Sequence, residues 1–284
     1  MKKLIYVTGT LILFALIFQP LLSIDKPKNI MLLFDLKDYN KEIDSTIDSF
    51  FKKAVSSRDQ LIVMTPAGKI YSYSSNILSE SRKKVSQEIK DTLRKHTSVS
   101  GSDYMNIYNQ MLSIVDEIRD NTGSQDVKNL MAAYENNRNE LKRTRKINEA
   151  LLLEFAEVFK RSKEITGDTD NQIYLFFQRE NRPIPDRDTM NRIRENSQLS
   201  FKAVEVFLGE RSKTDFDAEK IAEELNEAGV TFNLIYISKK ESSTQRYQLI
   251  DNAGDFYSAM SKIVEKTGGK KITTTQPKVI FEDL

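Results

Sequence analysis

"NIMLLFDLKDYNKE", residues 29 to 42, is an apolar run that ends at an aspartate and turns polar at once. Ile30 to Phe34 are contiguous rather than alternating, and too few for a helix, so they read as a strand covered on both faces. Asp35 then stands at the strand's C-terminal end, the edge of an open α/β sheet at which ligands bind. Whether the residues there hold a metal, meet a partner or cap the next helix is the question the rest of the chain has to answer.

Outward from that strand, strands and helices take turns. "YNKEIDSTIDSFFKKAV" puts Ile43, Ile47, Phe50, Phe51 and Ala54 on one helical face, with lysines near its C-terminus where the helix dipole favours them. "QLIVMTP" is a short buried strand stopped by Pro66, and "GKIYSYSS" alternates after a turn at Gly68. "SESRKKVSQEIKDTLRKH" predicts a helix capped by Ser79 or Ser81. "TSVSGSDYMNIYNQMLSIVDEIRD" reads as a small-residue loop opening an amphipathic helix, with Met105, Tyr108, Met111, Leu112, Val115 and Ile118 as its buried stripe.

Ser124 to Ile165 breaks the rhythm, because helical spacing at Val127, Met131, Tyr134 and Leu141, and again at Leu151, Leu152, Phe155 and Phe159, runs with no strand signal. The segment suits a hairpin bent near Asn136 to Asn139, or one helix of about 60 Å; the hairpin is the preferred reading. Alternation returns with strand "QIYLFFQ", a proline-bounded loop "RENRPIPDRD", and a helix or strand around Phe201 to Leu208. Helix "DAEKIAEELNEAG" and strand "VTFNLIYIS" follow. A helix closes at Gly268 and Gly269, which suit a left-handed cap, before an edge strand "KKITTT". Apolar strands alternating with amphipathic helices specify an α/β fold: a doubly wound, mostly parallel central sheet with helices on both faces, plus a helical insertion over 124–165.

Composition bounds the setting. The chain has 284 residues, 39% of them hydrophobic, enough for a real core in one large domain or two small ones. Residues 1–23, "MKKLIYVTGTLILFALIFQPLLS", place two lysines before a short apolar core and a small Ser23, the layout of a secretory signal peptide; an uncleaved membrane anchor is the alternative. Lys2 and Lys3 are the only charges there, so the remainder holds 41 basic side chains (43 less 2) against 41 acidic ones. Such a balance supplies no field for nucleic acid or an anionic membrane. Cysteine is absent, which excludes disulfides, a thiolate zinc site and a thiol nucleophile.

A dinucleotide-binding fold needs glycines after its first strand, and "FDLKDYNKE" has none. "TGGKKIT" follows a helix where a P-loop would precede one. The single histidine, His96, reads as a surface residue at a helix end rather than a catalytic base. The chain instead resembles the von Willebrand factor type A (VWA) domain, in "LLFDLKDY", in "SVSGSDYMNIYNQML", in the fourth strand "IYLFFQRE", and in the closing "AGVTFNLIYIS" and "MSKIVEKTGGKKI". The likeness runs over 28–275 and leaves 276–284 as a tail.

That resemblance implies a six-stranded, mainly parallel sheet and, in many members, a divalent cation at its top held by a metal-ion-dependent adhesion site. Asp35 matches the family's first aspartate, and Ser102 its threonine. Lys37 and Tyr39 stand where two serines are expected, and Gln178 or Arg179 where the second aspartate is. The motif is therefore degenerate. Magnesium needs roughly octahedral oxygen ligands with anionic charge, so the expectation is no cofactor, with the Lys37 ammonium in the metal's place, paired with Asp35 and donating to Ser102. An offset alignment recruiting Asp38 and Asn40 would restore a magnesium site.

Plainer readings stand beside these: Asp35, Asp38 and Asn40 as caps of the helix near Lys41, Ser102 and Asp103 as caps of the Met105 helix, and "KRTRK" at 142–146 as a solvated face. No nucleophile with its base and no cofactor fingerprint can be assembled, so the chain reads as a non-enzymatic, exported protein-interaction domain, periplasmic, secreted or envelope-associated. Its expected contact edge spans Asp35 to Tyr39, Ser100 to Tyr104 and Gln178 to Arg182, with Asp35, Lys37, Tyr39, Ser100, Ser102, Asp103, Gln178 and Arg179 as the ligand-binding candidates and the helical insertion as a second surface. The partner expected is a protein; no nucleic acid is expected, and a membrane only through an uncleaved N-terminal segment. The alternative is a membrane-anchored subunit of an envelope complex that docks through the insertion.

Overall fold

A computed structural model describes residues 27–121, 126–166, 169–209, 216–238 and 246–274. Both the signal or anchor segment 1–23 and the tail 276–284 lie outside the described residues. The central sheet has six strands in the spatial order β3 (Ile70–Tyr73), β2 (Gln60–Met64), β1 (Lys28–Asp35), β4 (Asp170–Gln178), β6 (Val230–Ile237) and β8 (Lys271–Thr274). All neighbours pair in parallel except β3, which returns antiparallel on β2 through a turn at Gly68 (φ +75).

The pleat divides the apolar residues of β1 between two cores. Ile30, Leu32 and Phe34 face α1 (Lys41–Lys53) and the first part of α2 (Ser75–Asp120), with Phe34 stacked on Phe176 at 4.7 Å. Met31 and Leu33 face α4 (Glu149–Thr166), α7 (Ala218–Glu227) and α8 (Gly254–Lys266). Burying each such side chain is worth about 1.5–3 kcal/mol, and a one-residue slip would exchange the faces, so β1 is fixed in register. The result is a three-layer α/β fold with a largely parallel sheet between two helical layers.

Beyond the sheet's C-terminal edge stands a third core. There the later part of α2 packs with α3 (Asp126–Arg143), α5 (Arg187–Glu195), α6 (Ser197–Ala203) and the π-helical turn Val204–Leu208 into which α6 continues. A two-stranded ribbon of β5 (Asn181–Pro185) and β7 (Tyr247–Asp251) closes it. No helix among the described residues is long and apolar enough to cross a membrane.

Several expectations need correction here. "TSVSGSDYM" is not a loop: it lies within α2, an element of 46 residues in two helical segments, the second of which runs through the whole stretch. Its break is at Ser81 (φ −163, ψ 85), whose Oγ accepts from Lys84 N–H at 3.2 Å, so Ser81 caps the second segment inside the helix. Small residues cluster where α2 crosses the β1 tip, and a Cβ on Gly101 would lie 2.4 Å from the Lys37 carbonyl oxygen. Tyr104 rather than Met105 joins the buried stripe, and Met105 is exposed. His96 is buried, with Nδ1 2.9 Å from Thr65 Oγ1.

The insertion breaks at Thr144–Asn148 and not at Asn136–Asn139; α3 packs along α2, whereas α4 crosses to α7. Asn148 Oδ1 accepts from Leu151 N–H at 2.9 Å and starts α4 afresh. The proline-bounded loop contains strand β5, whose Pro183 and Pro185 are tolerated because a two-stranded ribbon is all edge. Gly268 (φ +69) follows α8 as the left-handed cap expected of it.

Candidate functional site

β1 and β4 end side by side, Asp35 opposite Phe177, so the residues that follow each strand leave the same sheet edge. Gln178, the last residue of β4, turns its Oε1 to the backbone N–H groups of Lys37 (2.8 Å) and Asp38 (2.9 Å). These bonds fix the turn after β1 and fold the Lys37 side chain back over the strand it has just left. Its Nζ lies 2.7 Å from Asp35 Oδ1 and 3.3 Å from Glu180 Oε1, and the Tyr104 ring centroid is 5.8 Å away.

Arg145, from the link between α3 and α4, completes the cluster. Its Nε lies 3.0 Å and one terminal nitrogen 2.7 Å from Glu180 Oε2, and that nitrogen also donates to the Asn252 carbonyl at 2.8 Å. Farther out, Lys142 Nζ meets Asp255 Oδ2 at 2.8 Å, and Arg145 lies 3.8 Å from Asp255 Oδ1. Asp35 and Glu180 are thus answered by Lys37 and Arg145 in a nearly dry volume, the Glu180 side chain being 0% exposed and that of Lys37 7%.

Burial alone would push the Lys37 ammonium toward neutrality, but Asp35 and Glu180 outweigh it and hold its pKa above the ordinary value. For Glu180, burial raises the carboxyl, and Arg145 and Lys37 together bring it below the usual range. Both groups stay charged at neutral pH. Taking one partner away from such a set costs about 3–5 kcal/mol, because the other is left charged and dry.

Of the residues expected at this edge, Asp35, Lys37 and Gln178 converge. Tyr39 turns aside, its hydroxyl donating to Asp44 Oδ1 at 2.6 Å beneath the Arg94 guanidinium. Ser100 Oγ donates to the His96 carbonyl at 3.1 Å, inside the helix. Ser102 and Asp103 are exposed in mid-helix and cap nothing, so the second oxygen that Lys37 meets belongs to Glu180, not Ser102. Arg179 pairs with Asp251 at 3.3 Å. Asn40 is a cap, its Oδ1 accepting from Ile43 N–H at 3.1 Å.

Sequence reasoning includes Glu180 only as part of the 178–182 edge, in a segment whose prolines read as loop and with no pairing role, and misses Arg145, which stands in a run that reads as solvated. The one hint was Ile147, an apolar residue just after the basic run, which is buried.

A divalent cation does not fit these residues. The position between the Asp35 and Glu180 carboxylates is taken by the Lys37 ammonium, the Gln178 oxygen is engaged by two N–H groups, and Asn40 is used as a cap. Asp35 Oδ2 remains buried without a hydrogen-bond partner, but a cation on it would lie beside the Lys37 ammonium already paired with the same carboxylate.

No protein-family model and no curated protein matches the chain. A solved structure described as an aerotolerance-related membrane protein from Bacteroides fragilis, with multiple mutations to serines, aligns at a TM-score of 0.38 and 7% identity, covering 90% of this chain and 96% of that one. The architecture is a three-layer α/β fold around a six-stranded, mostly parallel sheet. What sets this sheet edge apart from the metal site that the resemblance implies is Lys37.

Proposed function

We propose that the chain is a non-enzymatic protein-interaction domain of VWA-like architecture that works without a divalent cation, exported by its N-terminal segment. The observation that carries this reading is the Lys37 ammonium held between Asp35 and Glu180 at the edge where such folds bind ligands. The even balance of charge outside the N-terminal segment favours a protein over nucleic acid as partner. His96, the only histidine, is engaged with Thr65 in the interior, which supports a binding role over a hydrolytic one.

Affinity capture from a native envelope extract tests this, with the full chain as bait in magnesium or in chelator. The same partner retained in both conditions is the expected result; a partner retained only with magnesium refutes the cation-independent reading. In the anchored alternative, the insertion docks onto an envelope complex. The mature N-terminus separates the two, because a start near Ile24 belongs to a released domain and an intact Met1 to an anchored one.

A further inference from the structure

Where α3 ends and α4 begins, the surface opens into a cleft of about 200 Å³. Its floor is apolar, made of Ile147, Phe216 and Phe256, the two rings meeting edge to face with centroids 5.2 Å apart. Its rim is cationic, with Lys142, Arg143 and Arg145. The two acids in the wall are already engaged: Asp255 with Lys142 and Arg145, and Glu149 with the Asp217 N–H at 2.8 Å. Both acids lie in the first turns of their helices, so the positive ends of α4 and α8 also point here.

The volume is below the roughly 300–1,000 Å³ of small-molecule pockets and suits one aromatic side chain with a neighbouring carboxylate. Arg145 cannot leave, because Glu180 and the Asn252 carbonyl hold it, and with its charge answered by Glu180 it is a fixed wall of the cleft and not a free cation. Arg143 is the cation able to turn, with a side chain 74% exposed and only a surface pair to Glu140 within α3.

We propose that this cleft docks a partner segment carrying a carboxylate beside an aromatic side chain, the carboxylate forked by Arg143 and the ring laid on Phe216 and Phe256. The proposal rests on the interaction-domain reading above and names the partner's chemistry. The "KRTRK" run then has two tasks, Arg145 locking the sheet edge and Arg143 facing the partner, while Lys142 is held by Asp255.

The test uses the full chain in mild detergent and a fluorescein-labelled peptide with Asp-Phe-Asp at its centre, followed by anisotropy, against the Asn-Phe-Asn counterpart. Saturable binding is expected for the aspartate peptide, at least about tenfold weaker for the asparagine peptide and for Arg143→Glu. Lys128→Glu, about 22 Å from Arg143 along α3 at 1.5 Å per residue, should bind as the wild type does. Equal binding of the two peptides, wild-type binding by Arg143→Glu, or no saturable binding overturns the proposal. If Arg143→Glu still retains the partner captured from the envelope extract, the cleft falls while the interaction-domain reading stands; a wild-type chain that retains nothing fails that reading itself.

Discussion

Lys37→Met is the most direct perturbation of the charge cluster. The substitution keeps the length and apolar stem of the side chain and removes only the ammonium. Glu180 retains the fork from Arg145, so the damage concentrates on Asp35, whose Oδ1 loses its partner at 2.7 Å while Oδ2 already has none. With both side chains 7% exposed or less, an uncompensated carboxylate there should cost about 3–5 kcal/mol. For a domain of this size that lowers the melting temperature by on the order of 10 °C. Urea unfolding with an unchanged m-value measures it. Asp35→Asn in the same chain removes the stranded charge, so the double variant should recover at least about 1.5 kcal/mol relative to the sum of the single variants. Additive losses, or a Lys37→Met variant within about 1 kcal/mol of wild type, would show that the ammonium is not what neutralises this edge.

Gly101→Ala should destabilise by about 1–3 kcal/mol in urea, although alanine is the better helix former by about 1 kcal/mol, because its Cβ would meet the Lys37 carbonyl at 2.4 Å; a stabilised variant would refute the close crossing. Glu180, its carboxyl held down by Arg145 and Lys37 against the opposing effect of burial, contributes stability that is present above its unfolded pKa of about 4.3 and lost as pH falls through the lower folded value. Unfolding midpoints of the wild type should therefore drop between about pH 5 and pH 3, and Glu180→Gln should flatten that slope; an identical acid limb in the two proteins would contradict it. Lys37→Ser leaves two carboxylates facing one another, so calorimetric titration with manganese or magnesium should give saturable heat in the variant. Saturable binding by the wild type would sink the substitution of ammonium for metal.

β1, β2, β4 and β6 are legible because each carries a contiguous apolar run, and parallel strands buried on both faces leave that pattern whatever else surrounds them; β7, a half-exposed YQLID, leaves no such run. Less legible were the segments decided by neighbours distant in sequence. Ser98 to Asp103 has the composition of a loop, yet it is helix, because the glycine needed for close crossing of β1 and the serines around it are carried by flanks that pack on two cores. Pro183 and Pro185 argue against a strand unless the strand is an edge, and only the partner at 247–251 makes it one. In the cluster, Asp35 and Lys37 are two residues apart and could be paired on paper. Glu180 and Arg145 are 35 residues apart in segments with no shared period, and only the fold reveals that a run of surface-like cations sends one member inward.

A lysine ammonium at the edge of such a sheet offers a partner less than a divalent cation would. A bound divalent cation keeps coordination positions that a partner's carboxylate can fill. An ammonium has three donors, and here Asp35 takes one, Glu180 faces another, and the Tyr104 ring closes the approach at 5.8 Å. Glu180 stands where the acid of a partner would have to come, and it belongs to the chain itself. The electrostatic energy of the edge is therefore spent inside the molecule, tying together the tips of β1 and β4, the α3–α4 link through Arg145 and the β7–α8 link through Asn252. Tyr104 adds α2 to the same knot, its hydroxyl donating to the Asn181 carbonyl at 2.8 Å. An edge closed in this way works as a clamp, and the surface it holds rigid is the cleft above Arg145, the one proposed above for a partner segment.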